Sequence, residues 1–552
     1  MEKGGKQTRK GEEHLISKNR YFDIDGFVFW PAAILIIIFI AVTLIVGEPM
    51  NQVFSVIQNG ISDYGGWFFV LAVNLFLFFV IYLAFSKFGK IRLGGDHSRP
   101  EFSLGSWFAM LFGAGMGIGI LFWSVGEPMN HYLNPPEGEG QTLEAARTAM
   151  DSTFLHWGLH AWGVYALVGM SLAFFTFNKK LPLTISSVFY PLLGNKIYGG
   201  WGKAINVLAV VATLFGLATS LGLGVQQVSA GLAHLFELPD TITTQVILII
   251  LITLAATGSV IAGIHGGVRR LSNINIVIAA FFLLFMILVG PTLFIFDSFI
   301  QNTGAYIQGF FAISTWTETY QQSDWQNSWT VFYWAWWISW SPFVGMFIAR
   351  ISRGRTIKEF TLGVLIVPAL LTFLWLSAFG GSAIYLEMNA IANITDAVSE
   401  NVATSLYVLL EQFPLSFITS IVGVILVIGF FITSSDSGSL VVDSLTAGGK
   451  LDAPVPQRVF WASTEGAVAA VLLIGGGLAA LQTAAISTGL PFAILLIFMA
   501  RSLHKGLSLE HEEMIKAQRV KEREQYQNTI TKILKKREKQ NKPQTGEDKP
   551  KT

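Results

Sequence analysis

The chain carries little charge and no cysteine. Only 13% of its 552 residues are charged, about half of the roughly 25% that is usual in soluble globular proteins. The absence of cysteine excludes disulfide bonds, thiolate nucleophiles, palmitoylation, and zinc or iron–sulfur centres held by thiolates. The formal net charge is only +1, so no basic surplus points to nucleic acid as a partner. What the chain has in abundance is apolar residues, which make up 52% of it.

The apolar residues form long blocks of the length that crosses a membrane. A bilayer core is spanned by about 20 helical residues, and the first block is long enough to stay in the membrane rather than act as a cleaved signal. We predict an all-α integral membrane protein with about twelve spanning helices. They lie near residues 27–47, 65–86, 106–133, 153–176, 204–235, 246–265, 273–296, 329–349, 360–385, 415–445, 458–479 and 482–502. The stretches 182–195 and 303–325 are too short or too polar to span, and we expect interfacial helices there.

Basic residues occupy every second loop. Lys and Arg gather in the N-terminal tail and in the loops at 87–99, 179–203, 269–270, 350–358 and 450–458. The intervening loops, at 137–151, 237–240, 297–324 and 387–411, are acidic. Since positive loops stay in the cytoplasm, this alternation predicts an even number of helices and two cytoplasmic termini.

The last fifty residues differ from the rest in being dense in Lys, Arg, Glu and Gln. One interpretation is a solvated helix with a disordered end. The other is a regulatory tail that senses ions or osmolality, or that touches anionic lipid.

Two of the predicted helices are interrupted. The third contains four glycines between Gly113 and Gly119, a density that weakens a helix and frees backbone groups. The eighth contains Pro342, which cannot donate to the helix ladder. The alternatives are a close-packed small-residue interface for the glycines and a simple kink for the proline. However, each interrupted helix opens a group of five, which predicts an inverted repeat with a binding site at the midplane.

This spacing divides the chain into six regions. They are a cytoplasmic N-terminal tail (1–26), two accessory helices (27–100), a first repeat of helices three to seven (101–297), an interfacial connecting helix (298–328), a second repeat of helices eight to twelve (329–502) and a cytoplasmic charged tail (503–552).

Aromatic residues cluster in the fourth and eighth helices. Trp157, Trp162 and Tyr165 share one arc of the fourth helix. Trp336, Trp337 and Trp340 lie close to Pro342 in the eighth. Tryptophans at helix ends are usually interfacial anchors, which accounts for Trp30, Trp67, Trp201 and Trp334. The central cluster instead suits a cation that cannot donate hydrogen bonds, such as trimethylammonium, bound by cation–π attraction. No carboxylate is needed beside such a box, and we expect none there.

At this point the sequence resembles the betaine/choline/carnitine transporter family, over roughly residues 15–505. The stretch from Trp334 to Arg355 matches the family's signature, and the segment from His156 to Tyr165 matches its fourth helix. The motif Gly115-Met-Gly-Ile-Gly119 resembles the form found in betaine transporters, whereas choline carriers tend to have an acidic residue at the last glycine. The resemblance implies a LeuT-like five-plus-five inverted repeat, a homotrimer, and a place in the bacterial cell (inner) membrane.

The resemblance also implies which residues bind. The ammonium box would be Trp157, Trp162, Tyr165 and Trp337, with Trp336 and Trp340 joining the path or the box. The substrate carboxylate would meet backbone amides of the glycine stretch, at Gly115, Met116, Gly117 and Gly119. One sodium ion would lie between Gly113, Met116, Phe430, Thr433 and Ser434. A second would lie near Thr213 and Phe343, although the next hydroxyl position is occupied by Leu217.

The predicted function is therefore sodium-driven import of glycine betaine as an osmoprotectant, with no cofactor beyond the coupling ion. Carnitine, choline or ectoine remain alternative substrates. Proton coupling remains an alternative drive, because Glu127, Asp436, Asp443 and Glu465 fall in membrane segments with His156 and His160. A channel or an osmosensor is the alternative from another class. An enzyme is not predicted, since no nucleophile–base pair, metal cluster or phosphate loop stands out.

Overall fold

The computed structural model describes residues 16–18, 21–115, 117–262, 268–321 and 323–540, and nearly all of them are helical. The prediction of a helical membrane protein is therefore confirmed in its coarse form. Within the described ranges the one exception is an antiparallel pair of short strands, β1 (Ile16–Lys18) and β2 (Asp23–Asp25), which pairs Ser17 with Ile24. Both strands fall in the predicted N-terminal tail (1–26), for which no strands were predicted. Met116, predicted to bind both substrate and sodium, lies outside the described residues.

The helices follow one another with short connections. In chain order they are α1 (Gly26–Val46), α2 (Met50–Phe85), α3 (Leu104–Gly115), α4 (Ile118–Leu133), α5 (Leu143–Trp157), α6 (Leu159–Ala173), α7 (Tyr190–Leu193), α8 (Gly200–Phe236), α9 (Ile242–Ala262), α10 (Val268–Val289), α11 (Thr292–Ser314), α12 (Phe332–Ile351), α13 (Ile357–Leu376), α14 (Ser382–Met388), α15 (Ile394–Glu400), α16 (Ser405–Glu411), α17 (Ser416–Thr446) and α18 (Val455–Gln540). Wider π-helical turns extend or precede three of them, at Phe174–Asn178, Asn327–Val331 and Ser377–Gly381.

Nine helices in the described part are long and apolar enough to cross a membrane. The predicted third and eighth helices are not among them. The two halves of the third, α3 and α4, have only 12 and 16 residues. The predicted eleventh and twelfth helices both fall in α18, whose backbone leaves the helical conformation at Gly476 and Gly477 and so separates two helical segments. The count of twelve and the inverted repeat stay predictions.

Several boundaries differ from those predicted. Helix α2 begins at Met50 rather than near residue 65, and α5 begins at Leu143 rather than near 153. Polar residues in these first turns lowered the mean hydropathy and hid the true helix starts. The start of α5 is fixed by Thr142, which caps the helix by accepting a hydrogen bond from the Ala145 amide, 3.1 Å away. The connecting helix α11 also starts earlier than the predicted stretch at 303–325, and 182–195 forms only short turns around α7.

The prediction that Pro342 breaks the eighth helix is wrong. Helix α12 runs unbroken from Phe332 to Ile351 with the proline inside it. Proline leaves the carbonyl four residues earlier, at Ile338, without its ladder donor. The Ser341 hydroxyl supplies the missing bond, donating to that carbonyl over 2.7 Å. The freed acceptor is thereby satisfied inside the membrane, where water could not do so.

The two predicted repeats contribute one helix each to the centre of the bundle. Helix α6 packs most extensively against α12, and α8 against α17 and α12. The facing surfaces of α6 and α12 are almost wholly buried. They therefore bring the two aromatic segments of the sequence together.

Two loops are paired through their backbones. The Gly354 amide donates to the Leu93 carbonyl (2.7 Å), and the Leu93 amide donates to the Arg355 carbonyl (2.9 Å). Two further bonds run from Ile357 to Ile91 and from Lys358 to Gly89. Gly354 has φ +83°, and a Cβ there would lie 2.2 Å from the Arg99 carbonyl, so only glycine fits. This loop pairing ties the end of α2 to the start of α13.

The chain divides into two compact units, residues 1–502 and 503–552. In the second unit the described residues continue the helix to Gln540. All side chains from Ile515 to Arg537 are exposed. The predicted helical character of the tail is observed, and its last twelve residues lie outside the described part.

Candidate substrate site

All six aromatic residues predicted for the box lie in one buried cluster between α5, α6 and α12. Each is between 1% and 7% exposed. The ring centroids of Trp157 and Trp337 are 5.0 Å apart and nearly perpendicular, at 71°. Trp336 stacks on Trp337 at 4.7 Å. Tyr165 bridges the rest of the cluster, 5.6 Å from Trp162 and 6.2 Å from both Trp337 and Trp340.

The anchors predicted at the membrane edges divide into two groups. Trp30, Trp67 and Trp201 are 56–69% exposed, as expected for side chains that face lipid or its interface. Trp334 is fully buried and lies 5.3 Å from the His160 ring. Its assignment as an anchor is therefore wrong, since it packs in the core.

The glycine stretch meets the tryptophans directly. Helix α3 ends at Gly115 and α4 begins at Ile118, with Gly117 in an extended conformation between them. A Cβ at Gly119 would lie 2.6 Å from the Trp336 ring and 3.2 Å from Trp157. Glycine is therefore required at position 119 by the close approach of two rings. The first amides of α4 have no partner within their own helix, which makes them suitable donors to an anion.

A carboxylate lies beside the box, contrary to the sequence prediction. Glu127, in the last turns of α4, is fully buried. Its Oε2 accepts a hydrogen bond from the indole Nε1 of Trp157 (2.6 Å) and another from the Tyr333 hydroxyl. The sequence reasoning noted Glu127 as an acid within the membrane. It could not show that the chain reversal between α4 and α5 brings this carboxyl onto Trp157.

Two histidines complete the surroundings of Glu127. Its Oε1 faces His156 Nδ1 at 2.7 Å and His131 Nε2 at 3.3 Å. His156 Nε2 in turn contacts the Thr330 hydroxyl at 3.0 Å. These three side chains could offer one atom each to a metal ion, a cluster that sequence reasoning did not find. The 2.7 Å separation, however, is the length of a hydrogen bond, and we treat the group as a hydrogen-bonded network.

Comparison with known proteins identifies the family. Residues 27–512 match the BCCT family, described as betaine/carnitine/choline family transporters. The chain belongs to this family. It is 46% identical over 502 residues to a glycine betaine/proline/choline/ectoine transporter of Vibrio parahaemolyticus, covering 89% of this chain and 88% of that one. It is 45% identical over 496 residues to the glycine betaine transporter OpuD of Bacillus subtilis (89% and 96% covered). It is 43% identical over 499 residues to a glycine betaine transporter of Acinetobacter baylyi (90% and 76%).

Membership of the BCCT family has two direct consequences. The protein is a multi-pass membrane transporter of a family found in bacteria, and it is not an enzyme. The resemblance noted in the sequence is thereby confirmed at the level of the family.

Four of the five residues predicted for the first sodium site of this BCCT transporter lie on α3 and α17, and the fifth, Met116, lies outside the described residues. Thr433 donates its hydroxyl to the carbonyls of Gly429 (3.0 Å) and Phe430 (3.2 Å), within its own helix. Ser434 is half-buried beside it. Gly113 faces Ile276 of α10, and the preceding residue of α10, Asn275, lies against Gly429. Helix α10 thus contacts both parts of the predicted site, which stays a prediction.

The second sodium site has less support. The Thr213 hydroxyl donates to the Ala209 carbonyl of its own helix, over 2.7 Å. Phe343 lies on α12, where its ring is 5.6 Å from that of Trp340. Leu217, which replaces the expected hydroxyl, packs against Gly438 of α17, where a Cβ would lie 2.4 Å from the leucine side chain. An apolar side chain therefore fills the gap between α8 and α17 at this level.

Three residues of the network around the box, Tyr333, Thr330 and His131, were given no role in the sequence analysis. Tyr333 could have been found, because it lies four residues before Trp337 and therefore on the same helical face. Thr330 and His131 gave no comparable signal. Their places depend on the π-helical turn before α12 and on how α4 packs against α5.

Proposed function

We propose that this BCCT transporter imports glycine betaine, a trimethylammonium osmoprotectant, by sodium-driven alternating access. The observation that carries the proposal is the convergence of six aromatic side chains from α5, α6 and α12 in one buried cluster. The names of its relatives, which specify glycine betaine transport, support the same substrate.

The chemistry of the box suits a methylated cation. A trimethylammonium group has no hydrogen to donate, so it is recognised by aromatic faces rather than by acceptors. Each ring contributes roughly 0.5–2 kcal/mol when the pair is shielded from water. The first turn of α4 approaches the cluster at Gly119, and its amides, which have no acceptor in their own helix, would take the substrate's carboxylate. A cation-binding box beside an anion-binding helix end matches a zwitterion with both charges on a short chain.

Sodium is the proposed coupling ion. Glycine betaine has no net charge, so the membrane potential acts on its import only through a coupled ion, at roughly 2.3 kcal/mol per charge and 100 mV. The proposed ligands are oxygen atoms of Gly113, Met116, Phe430, Thr433 and Ser434, which suit a hard cation. Thr213 and Phe343 are the proposed place of a second ion. By family resemblance we further propose a homotrimer in the bacterial inner membrane with both termini in the cytoplasm.

A proton is the second candidate for the coupling ion. It is favoured by Glu465, whose buried Oε1 has no hydrogen-bond partner among the described residues, and by Asp443, where the same holds for both carboxylate oxygens. Uptake driven by a proton gradient in the absence of sodium would support this candidate. Uptake that needs sodium at every pH would exclude it.

The test is uptake of radiolabelled glycine betaine by the purified protein in liposomes, with and without a sodium gradient. We expect concentrative uptake only with the gradient, and a loss of roughly 2- to 30-fold in Trp337→Leu and Trp162→Leu, which corresponds to the 0.5–2 kcal/mol of one ring's attraction. Trp201→Leu is the matched control, because Trp201 is 69% exposed and outside the cluster. Normal uptake by both cluster variants would contradict the aromatic box, and equilibration without accumulation would indicate a channel.

A further inference from the structure

The Glu127 carboxylate is surrounded by donors. Its two oxygens face four polar atoms, on His131, His156, Trp157 and Tyr333. All four partners are at most 5% exposed. An ionised carboxylate offers about four lone-pair positions and donates nothing. The Trp157 indole can only donate, the Tyr333 hydroxyl donates to Oε2, and each imidazole can donate with the facing nitrogen protonated. The environment is therefore complementary to a negative charge.

Only one of these four partners also belongs to the box. The Trp157 indole binds Glu127 through Nε1 and presents its ring to Trp337, 5.0 Å away. A charge-assisted hydrogen bond to an N–H group is roughly twice as strong as a neutral one. It also draws the indole proton towards the anion and leaves the ring more electron-rich, which strengthens the attraction of its face for a cation.

We propose that Glu127 makes the aromatic box select a cationic head group over a neutral group of the same shape. It does so as an ionised carboxylate that is hydrogen-bonded to the Trp157 indole and thereby increases the attraction of that ring for a cation. This inference rests on the proposed function and names how that site recognises its substrate. Glu127 is a positioning residue, since it is separated from the box by the indole that it holds.

The structure offers a matched control inside the same box. The Trp337 indole also donates a hydrogen bond, over 2.8 Å, but to the backbone carbonyl of His156. Both indoles are buried and both are held by one acceptor. They differ in that the acceptor is a carboxylate for Trp157 and a neutral carbonyl for Trp337. Comparing variants of Trp157 and Trp337 therefore separates the effect of the negative charge from the effect of fixing an indole by a hydrogen bond.

The test compares two ligands that differ only in charge at one atom. Glycine betaine and 3,3-dimethylbutanoate have the same shape and carboxylate, but the central nitrogen of the first is a neutral carbon in the second. The measured quantity is the ratio of their dissociation constants, from competition with radiolabelled betaine for the purified full-length protein. We call this ratio the charge selectivity. Damage to the fold or to the carboxylate end of the site changes both constants alike and leaves the ratio unchanged.

We expect Glu127→Gln to lower the charge selectivity about tenfold, as follows from losing the anion's share of a cation–π interaction. In Trp157→Phe the ring is kept but the bond to the carboxylate is lost. This variant should lose clearly more charge selectivity than Trp337→Phe, which also keeps a ring. Size-exclusion chromatography would show whether the Glu127 variant folds. If it does not, the comparison of Trp157→Phe with Trp337→Phe still tests the inference.

The outcomes separate the two proposals. If the unmodified protein does not prefer betaine to its carbon analogue, the proposed function fails. If it does, but Glu127→Gln weakens both ligands equally, Glu127 is only structural and the inference is overturned. Equal losses of charge selectivity in Trp157→Phe and Trp337→Phe would overturn it as well.

Discussion

The indole of Trp337 is hydrogen-bonded to the backbone carbonyl of His156, 2.8 Å away, and this bond joins α12 to α5, two of the three helices that build the box. His156 precedes Trp157 in the chain and contacts Glu127 with its side chain. The substrate cluster and the polar network behind it are therefore a single assembly. Changes at either part should be visible in both substrate recognition and stability.

The box leaves no space for a side chain at position 119. Gly119→Val should lower betaine uptake at least about tenfold, because its Cβ would overlap the Trp336 ring at 2.6 Å and overpacking of this kind costs about 1–3 kcal/mol. Gly105→Ala in the preceding helix is the control, since nothing lies within 4 Å of its Cβ position. Liposome uptake measures both. Uptake by the Gly119 variant equal to that of the control would mean that the rings move apart freely.

The Ser341 hydroxyl should stabilise α12 only as long as Pro342 is present. Ser341→Ala leaves the Ile338 carbonyl without a donor, which costs about 1–3 kcal/mol for a buried group. In a Pro342→Ala background the new amide can reach the same carbonyl, so the Ser341 change should cost much less.

The measurement for this pair is the thermal unfolding midpoint of the purified protein in detergent, for the two single variants and the double variant. A double-mutant cycle reports the coupling between the two positions. Equal losses on Ser341→Ala in both backgrounds would show that the hydroxyl does not replace the proline's missing bond.

Thr433 tests the sodium site. Thr433→Ala should raise the sodium concentration for half-maximal uptake about tenfold, while Thr433→Ser should retain the original value because the hydroxyl is kept. The readout is initial betaine uptake against external sodium. In the structure the hydroxyl donates within its own helix. If the sodium dependence of the alanine variant is unchanged, the Thr433 hydroxyl does not bind sodium and serves only in that local hydrogen bond.

We expect the charged tail to regulate uptake in response to osmolality and not to be needed for transport itself. A stop after Met514 removes a segment whose side chains from Ile515 to Arg537 are all exposed. We expect such a protein to take up betaine at the normal rate in one fixed medium, but with an altered response when external osmolality is raised. An identical osmolality profile for both proteins would identify the tail as a solvated helix without a regulatory role.

The aromatic cluster could be predicted because it rests on local spacing. Tyr165 and Trp162, or Trp336 and Trp340, share a helix face by the period of the helix alone, and the family motif supplied the pairing of the two faces. The place of Glu127 beside Trp157 could not be predicted in this way. It depends on how two chain segments thirty residues apart fold back on each other, and hydropathy records only that the acid lies in an apolar region.

The error at Pro342 has a similar origin. Proline's effect on a helix was judged from its own missing amide, whereas the outcome was decided by the hydroxyl of its neighbour. The late start predicted for α2 and α5 came from averaging hydropathy over windows in which polar residues extend a helix beyond the apolar core. Local rules thus identified the elements, and contacts between them set the details.

The backbone pairing between the loops at 89–93 and 354–358 has a mechanical consequence. Four hydrogen bonds and a glycine that accepts no side chain hold the end of α2 at the start of α13. A rocking movement that separated these two helix ends would have to break all four bonds together, at a net cost of about 1 kcal/mol each. The junction should therefore serve as a fixed pivot, so that an accessory helix moves in step with α13 in every state of the transport cycle.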